Sequence, residues 1–574
     1  MPLRRTRTLP VAWGLLAAFA ATAACPAPAA EPAAADGTLD VDVVIVGATP
    51  AGVAAAVAAA RGGARVAVLE ASSHVGGIVA GGLTNTDIRR HGAVGGLYTE
   101  FKRRIVEHYV AAHGADSADV RLCRGGNMFS PRVAERVFRE MLSGERTIRL
   151  LERHRVVAAT VEDGQGRERP ATPGRRIDGA DPGTLAPAVR LVGIRAENLA
   201  AEPAAIDLRA RAFIDCTYEG DLAALAGADY RVGRESRAAF REPHAGTIYV
   251  RFKDSNPLPG STGAADAGIQ AFCFRFHLTK DRAKQVAVER PAAFNRDDYR
   301  HLLDQMAAGR VTAFSQVIQL YAMPGGNHEA NSDHPHPETG VPAESLDLAE
   351  ENWGWPESGP EERHRIFERY WSHNEGLLWL LQNDPAVPAA IRAEAAQWGF
   401  PTDEFTDTRH RPHHIYVRQG RRIWGEYTLT ENDATPEFAT GLPKRQSDGI
   451  AVTEFEFDSH GVTKYDPAHP GVREGYFFIS HDPFQLPYRI MLPRCVDGLL
   501  VPVACSTTHV GYQTLRMEPV FMALGEAAGI AGATAAATGV EPRRLDVAAV
   551  QREILRRGGV ILYENAPLVP DTLH

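Results

Sequence analysis

The chain has 574 residues, 44% of them hydrophobic and 23% charged, with a formal net charge of −9. This composition excludes a disordered or collagen-like chain, and the acidic balance points to no nucleic-acid partner. At roughly 100–200 residues per domain, the length corresponds to about three or four domain-sized units or one long enzyme chain with an insertion.

The first thirty residues read as a secretory signal outside the fold. Arg4, Arg5 and Arg7 form a positive start, Val11 to Ala24 a short apolar run, and Ala27-Pro28-Ala29-Ala30 a small-residue stretch. The apolar run is too short for a comfortable membrane helix. The expectation is therefore an exported chain, periplasmic or secreted, with no integral membrane span after processing. Cys25 is a candidate lipidation site, although Thr22 departs from the usual Leu, and Arg4-Arg5 is a partial twin-arginine signal. Cys123, Cys216, Cys273, Cys495 and Cys505 include no C-x-x-C pair. That argues against a dithiol centre or zinc ribbon and for buried free thiols.

Asp40 to Val46 is a nearly continuous β-branched run, the pattern of a buried parallel strand. It leads into Gly47-Ala48-Thr49-Pro50-Ala51-Gly52, a helix over Val53–Arg61, and a second strand Arg65–Leu69 that ends at Glu70. A strand, a glycine turn, a helix and a second strand closing on an acid form a dinucleotide-binding unit. Gly47 permits the tight turn and Gly52 lets helix and strand pack closely. Free N–H groups at the helix start face a pyrophosphate, and Glu70 faces a ribose. Thr49 replaces the middle glycine of G-x-G-x-x-G, but Thr is a good N-cap and Pro50 suits the first helical position.

Gly76-Gly77 and Gly81-Gly82-Leu83 follow. This continuation resembles the FAD-binding flavoproteins, where a second glycine pair follows the ribose-binding acid. In that resemblance FAD is the cofactor and Val156 holds the adenine through backbone contacts. The strand Ala212–Thr217 then leads into Tyr218-Glu219-Gly220-Asp221, with Thr217 and Asp221 closing around FAD. Ile148–Thr160 and Ala188–Leu208 alternate as β-meander strands, and Gln165–Pro187 reads as an exposed loop.

From about 235 to 480 the composition shifts toward His, Trp, Pro and charged residues, as in a substrate or cap domain. Strands are expected near Gly246–Lys253 and Gln270–Leu278, and helices near Glu361–Gln382 and Ala389–Trp398. His328, Asp333, His334 and His336 lie close together without a zinc spacing, so a histidine-rich loop and no metal is expected. His413-His414, Tyr416 and Arg418 either line a pocket beside the flavin or alternate along a strand. Arg421-Arg422 either bind an acidic substrate or, as expected, sit on the surface.

Gly498–Val503 reads as a short buried strand. Arg516-Met517-Glu518-Pro519 then opens a helix in which Gly525, Ala528 and Gly529 allow close packing. Its start, aimed at an isoalloxazine, favours negative charge on reduced flavin, which makes Met517 and Glu518 cofactor neighbours. His509 is the expected catalytic base for a substrate that gives up hydride, with Tyr512 and Arg516 as secondary catalytic candidates. The alternatives are a loop-bracing histidine and an Arg516–Glu518 pair at the helix start. His74 is expected to pack near the pyrophosphate turn rather than to bond flavin covalently.

Together with Asp215–Leu222, Tyr230–Glu235, Pro412–Arg418 and Thr508–Tyr512, these motifs make residues 40–574 similar to a bacterial FAD-dependent oxidoreductase family whose members often carry a xanthan lyase label. The resemblance implies a noncovalent flavoenzyme of α/β class. Its Rossmann-like FAD-binding domain would be assembled from discontinuous segments, 40–234 and 481–574, around an inserted α+β substrate or cap domain, 235–480. Hydride would pass from a small-molecule or saccharide substrate to flavin, and electrons would leave to oxygen or another acceptor. A redox-neutral lyase or hydrolase and a nonenzymatic flavin-binding protein are the competing readings. The absence of a second nucleotide motif after residue 100 argues against a pyridine-nucleotide disulfide reductase.

Overall fold

The computed structural model describes residues 37–180, 183, 188–200, 205–332, 346–469 and 471–563. The expected signal with Cys25, and Asp333, His334 and His336 of the histidine-rich stretch, lie outside the described residues.

At the centre is a five-stranded parallel sheet. Its strands are β1 (Val43–Val46), β2 (Val66–Glu70), β3 (Ile148–Glu152), β4 (Ala212–Asp215) and β5 (Leu499–Leu500), in the order β5-β4-β1-β2-β3. A parallel sheet is covered on both faces, which is why β1 is apolar without alternation, β4 is apolar up to Asp215, and both are fully buried. Helix α1 (Pro50–Arg61) starts three residues before the expected Val53. Thr49 caps it, its Oγ1 accepting from Gly52 N at 3.3 Å, and Pro50 occupies the first turn.

Near the C-terminus run α2 (His509–Leu515) and α3 (Glu518–Thr538). α3 is long and apolar enough to cross a membrane, yet 78% of its most apolar stretch is buried against the sheet and α1. It serves here as a core helix. The five described cysteines are all buried free thiols.

The second sheet is mixed, in the order Thr38–Asp40, Ala205–Arg209, Val189–Asn198, His154–Glu162, Glu168–Pro170, with Val496–Asp497 also paired to Val189–Asn198. The stretch Ile148–Thr160, expected among the β-meander strands, is divided between the two sheets. Ile148–Glu152 pairs in parallel with β2 as the edge of the central sheet. The chain then turns at Arg153, which has a left-handed φ of 57°, and His154–Glu162 enters the second sheet. Glu168–Pro170 forms a short exposed strand inside the expected loop.

The region expected as a cap is built on the antiparallel strands Phe276–Leu278, His328–Ser332 and Ile318–Ala322 and on the helix Pro360–Asn383. Gly246–Lys253 forms no strand. Gly246 has a φ of +72° and packs so closely on Gly263 that a Cβ would stand 2.5 Å from its carbonyl carbon, a geometry foreign to a ladder. Gln270–Leu278 becomes a strand only at Phe276, and the helix from Ala389 ends at Ala395. His328 packs edge-on against Trp398 at 4.9 Å between ring centroids.

Candidate active site

The glycine turn packs closely against backbone at both of its glycines. Gly47 has a φ of +91°, and a Cβ there would stand 3.0 Å from Thr217 N; a Cβ on Gly52 would stand 1.9 Å from Gly47 O. Neither position accepts a side chain, so the start of α1 lies bare over the ends of β1 and β4. Thr49 Oγ1 donates to Cys216 O at 2.9 Å, tying the turn to the exit of β4. Glu70 ends β2 and accepts from Ala48 N at 2.9 Å and from Ser72 N and Oγ at 2.9 Å. Gly76, with a φ of +107°, donates from its N–H to Ala48 O at 2.7 Å, which folds the second glycine pair onto the first turn.

The exit of β4 forms the opposite wall. Thr217 Oγ1 donates to Asp215 at 2.7 Å and accepts from the N–H groups of Gly220 and Asp221. Asp221 is held by Arg363 at 2.6 Å and Arg421 at 2.7 Å, while 37% of its side chain stays open. Burial opposes its ionisation, but the Arg363 and Arg421 guanidiniums prevail and hold its carboxyl below the usual range. Val156 lies opposite Ala196 next to a bulge in the second sheet and packs beneath the ends of the parallel strands.

The expected surface position of Arg421-Arg422 is not what the fold does with them. Arg421 holds Asp221, and Arg422 is fully buried, donating to Glu235 at 2.9 Å and to Gly233 O at 2.5 Å. Their partners are distant in sequence, and a pair of adjacent arginines carries no local sign of that.

α2 and α3 supply the third wall. Thr508 caps α2, its Oγ1 accepting from Gly511 N at 3.0 Å and donating to Glu242 at 2.6 Å. His509 N donates to Glu235 at 2.8 Å, and its ring Nε2 faces Gln513 Nε2 at 3.3 Å. Gln270 donates to Gln513 Oε1 at 2.6 Å, which fixes that amide's orientation, so the histidine Nε2 accepts and Nδ1 bears the hydrogen. Burial, then the charges of Arg234 and Arg422, push this imidazole well below its usual pKa. Tyr512 is buried in the same helix, its phenol pushed upward by burial and by neighbouring Cys505 and Glu518.

The Arg516–Glu518 pair does not form. Arg516 donates to Tyr416 Oη at 3.0 Å and to Asp458 Oδ2 at 2.9 Å. Glu518 instead accepts from Tyr218 Oη at 2.7 Å, and Tyr218 Oη accepts from Ile78 N at 3.3 Å. Burial pushes Glu518 up to about 8. Met517, the residue before α3, is buried with it. Gly525 lies against Ala51 and Gly529 against Ala55, so the two helices run in parallel. At 1.5 Å per residue, the start of α3 reaches about 9 Å beyond the start of α1. Two helix N-termini are thus staggered along one groove.

His413 stacks on His74 with ring centroids 3.7 Å apart, and burial, then the neighbouring His74, push it down to about 3. His74 reaches Glu135 and Asp407 at 3.2 Å each. His414 packs against Gly81 and lies edge-on to Tyr218 at 5.3 Å. His414 therefore faces the cradle from the cap.

A charged cluster lies where cradle and cap meet; the sequence pointed to Tyr416 and Arg516 in it but not to Arg275, Glu329, Asp87 or Asp458. A Cβ on Gly82 would stand 1.9 Å from Arg275 O, and His277 Nε2 donates to Gly82 O at 3.1 Å. Arg275 pairs with Glu329 at 2.7 Å, and Thr84 Oγ1 donates to the same carboxylate at 2.7 Å. Asp87, Tyr321, Tyr416, Asp458 and Arg516 adjoin them. The available signal was a charge inside an apolar run, Arg275 between Phe274 and Phe276; the polar strand around Glu329 carried no such sign.

These residues fit a dinucleotide. Glycines bare the backbone where phosphates approach, and an acid ends β2. Among the described residues, both ends of the buried Gln419 amide and the Thr507 hydroxyl lack protein partners beside the groove.

Residues 42–554 match a family described as FAD dependent oxidoreductase. No curated protein matches the chain. Among solved structures it is similar to THI4 from Thermovibrio ammonificans, at 16% identity over 32% of this chain and 60% of that one, with a TM-score of 0.20. It is also similar to the myxobacterial chondrochloren halogenase CndH, at 13% identity over 51% and 52% of the two chains and a TM-score of 0.25. L-proline dehydrogenase from P. horikoshii shares 15% identity over 31% of this chain and 23% of that one, with a TM-score of 0.16. The chain thus spans 60% of the first of these and less of the other two. The family match runs from the first strand of the parallel sheet into the last helix, so this chain belongs to the FAD dependent oxidoreductase family, and FAD is the dinucleotide its cradle takes.

Proposed function

We propose that the protein oxidises a small polar organic substrate, with saccharide-like compounds the first class to test, and that it acts after export to the periplasm or outside the cell. The observation that carries this reading is the charged cluster of Arg275, Glu329, Tyr416, Asp458 and Arg516, packed against the loop that leaves the second glycine pair. A buried cluster of this kind suits a ligand with several hydrogen-bonding groups and repels an apolar one.

FAD, when bound, supplies an acceptor for the hydride on a substrate carbon bearing a hydroxyl or amine. The chain's own residues bind and orient that carbon. Arg516, braced by Asp458, donates to the oxygen of Tyr416, which leaves the phenol hydrogen free to donate to a substrate oxygen. Arg275, braced by Glu329, holds the cap strand against Gly82 and keeps water out of the junction. Electrons then leave to oxygen or another acceptor.

The test is anaerobic addition of sugars, polyols, amines and hydroxy acids to the FAD-loaded protein. Bleaching of the flavin band by one class, reversed by air, is the expected result. Conversion of a compound without net bleaching would replace this reading with a redox-neutral lyase or hydrolase.

A further inference from the structure

In the charged cluster, two of the three carboxylates already have strong partners. Glu329 is held by Arg275 and Thr84, and Asp458 by Arg516. Asp87 differs. Among the described residues its one hydrogen bond comes from Asn85 Nδ2, at 3.3 Å. It stands on the loop that follows the second glycine pair, remains partly open, and has Arg275, Glu329 and Asp458 from the cap and Arg516 from the end of α2 as its charged neighbours. Tyr98, Tyr321 and Tyr416 are the other titratable groups that face it.

We propose that Asp87 is the general base of this site, taking the proton from the hydroxyl or amine of the substrate carbon that gives up hydride. The proposal rests on the reading of the cluster as the substrate site. In the step, the substrate C–H and O–H (or N–H) bonds break and a C=O or C=N bond forms. The hydride carries two electrons to FAD, and the proton goes to the Asp87 carboxylate.

Asp87 has the surroundings for the task. Burial pushes it up to about 6, Arg275 and Arg516 oppose that, and Asp458 and Glu329 add to it. It is therefore ionised at neutral pH and holds a proton more firmly than an ordinary carboxylate. His509 is worse placed. Its Nε2 already accepts from Gln513, and a second proton would be enclosed beside Arg234 and Arg422.

Two readouts on the FAD-loaded full chain test this. The first needs no substrate: the flavin spectrum is titrated from acid to neutral pH. A one-proton transition near pH 6 is expected in the wild type, absent in D87N and retained in D87E, where the carboxylate survives. A D87N spectrum that keeps the transition overturns the proposal. The second uses whichever compound class bleaches the flavin. Reduction in D87N should slow by about 10²- to 10⁴-fold, with D87E intermediate and substrate affinity held within a few-fold. A D87N rate within about tenfold of the wild type, below that range, also overturns it. If no compound bleaches the flavin, the proposed function falls and the base role falls with it, whereas a failed D87N arm in the presence of a bleaching substrate overturns Asp87 alone.

Discussion

Gly525 lies directly on the Ala51 carbonyl: a methyl group at Gly525 would stand 2.2 Å from that oxygen. Gly529 repeats the contact one turn later on Ala55, also at 2.2 Å. The two helices therefore touch backbone to backbone, and this contact sets how far the start of α3 projects past the start of α1. The spacing of two positive helix ends along the groove is a packing property of two glycines.

Gly525→Ala should therefore destabilise the fold although alanine is the better helix former. The propensity gain is about 1 kcal/mol, whereas a backbone oxygen cannot yield to an extra methyl, and overpacking typically costs about 1–3 kcal/mol. Displacing α3 should also weaken FAD retention. Thermal unfolding and flavin content of the purified variant measure both, and a variant with wild-type values for each would show that the helix contact does not set the stagger.

Thr49 does two things where the usual motif has glycine: it caps α1 and ties the turn to Cys216 O. Thr49→Ala should cost about 1 kcal/mol from the cap, with a further loss from the broken tie to β4. Thr49→Ser should keep most of the stability. Chemical denaturation of the three proteins separates these outcomes; equal stability of the alanine and serine variants would remove the hydroxyl from the argument.

Much of the cradle is legible in sequence because its constraints are local. Gly47, Gly52 and Glu70 follow from the tight turn, the helix–strand contact and the strand end, all within one βαβ unit. The charged cluster is not local. Arg275 gains meaning only when Gly82 arrives against its carbonyl, and Arg422 becomes a core residue only through Glu235. The alternative Arg516–Glu518 pair does not form for the same reason: the two are close in sequence, but Asp458 and Tyr218 arrive from elsewhere and take one partner each. His509 looked like a base by residue type, and only Gln270 acting through Gln513 shows that its acceptor nitrogen is engaged.

Glu518 should leave a mark on stability against pH. Its folded-state carboxyl is raised to about 8, against about 4.3 for an unfolded glutamate. Between those values the folded state binds the proton and the unfolded state does not, so this group's contribution falls as pH rises and levels off above the folded value. The slope is at most about 1.4 kcal/mol per pH unit. Glu518→Gln keeps an acceptor for Tyr218 without ionising, so its stability curve should be flatter across that window. Parallel curves for the two proteins would show that Glu518 is ionised in the fold.

Asp221 faces the groove near the phosphate-binding turn with two arginines on it. An unneutralised carboxylate there would repel the pyrophosphate, so Arg363 and Arg421 are expected to serve FAD binding without having to touch the cofactor. Arg363→Met removes the bidentate partner and leaves Asp221 with Arg421 alone. FAD affinity should fall by about tenfold, the effect of about 1.4 kcal/mol, and the loss should shrink as added salt screens the repulsion. Adding Asp221→Asn to Arg363→Met should restore much of the affinity, because the charge needing neutralisation is gone. FAD titration by fluorescence quenching at low and high salt measures all three proteins. A double variant that binds no better than Arg363→Met would mean that Arg363 acts on the cofactor by another route than Asp221.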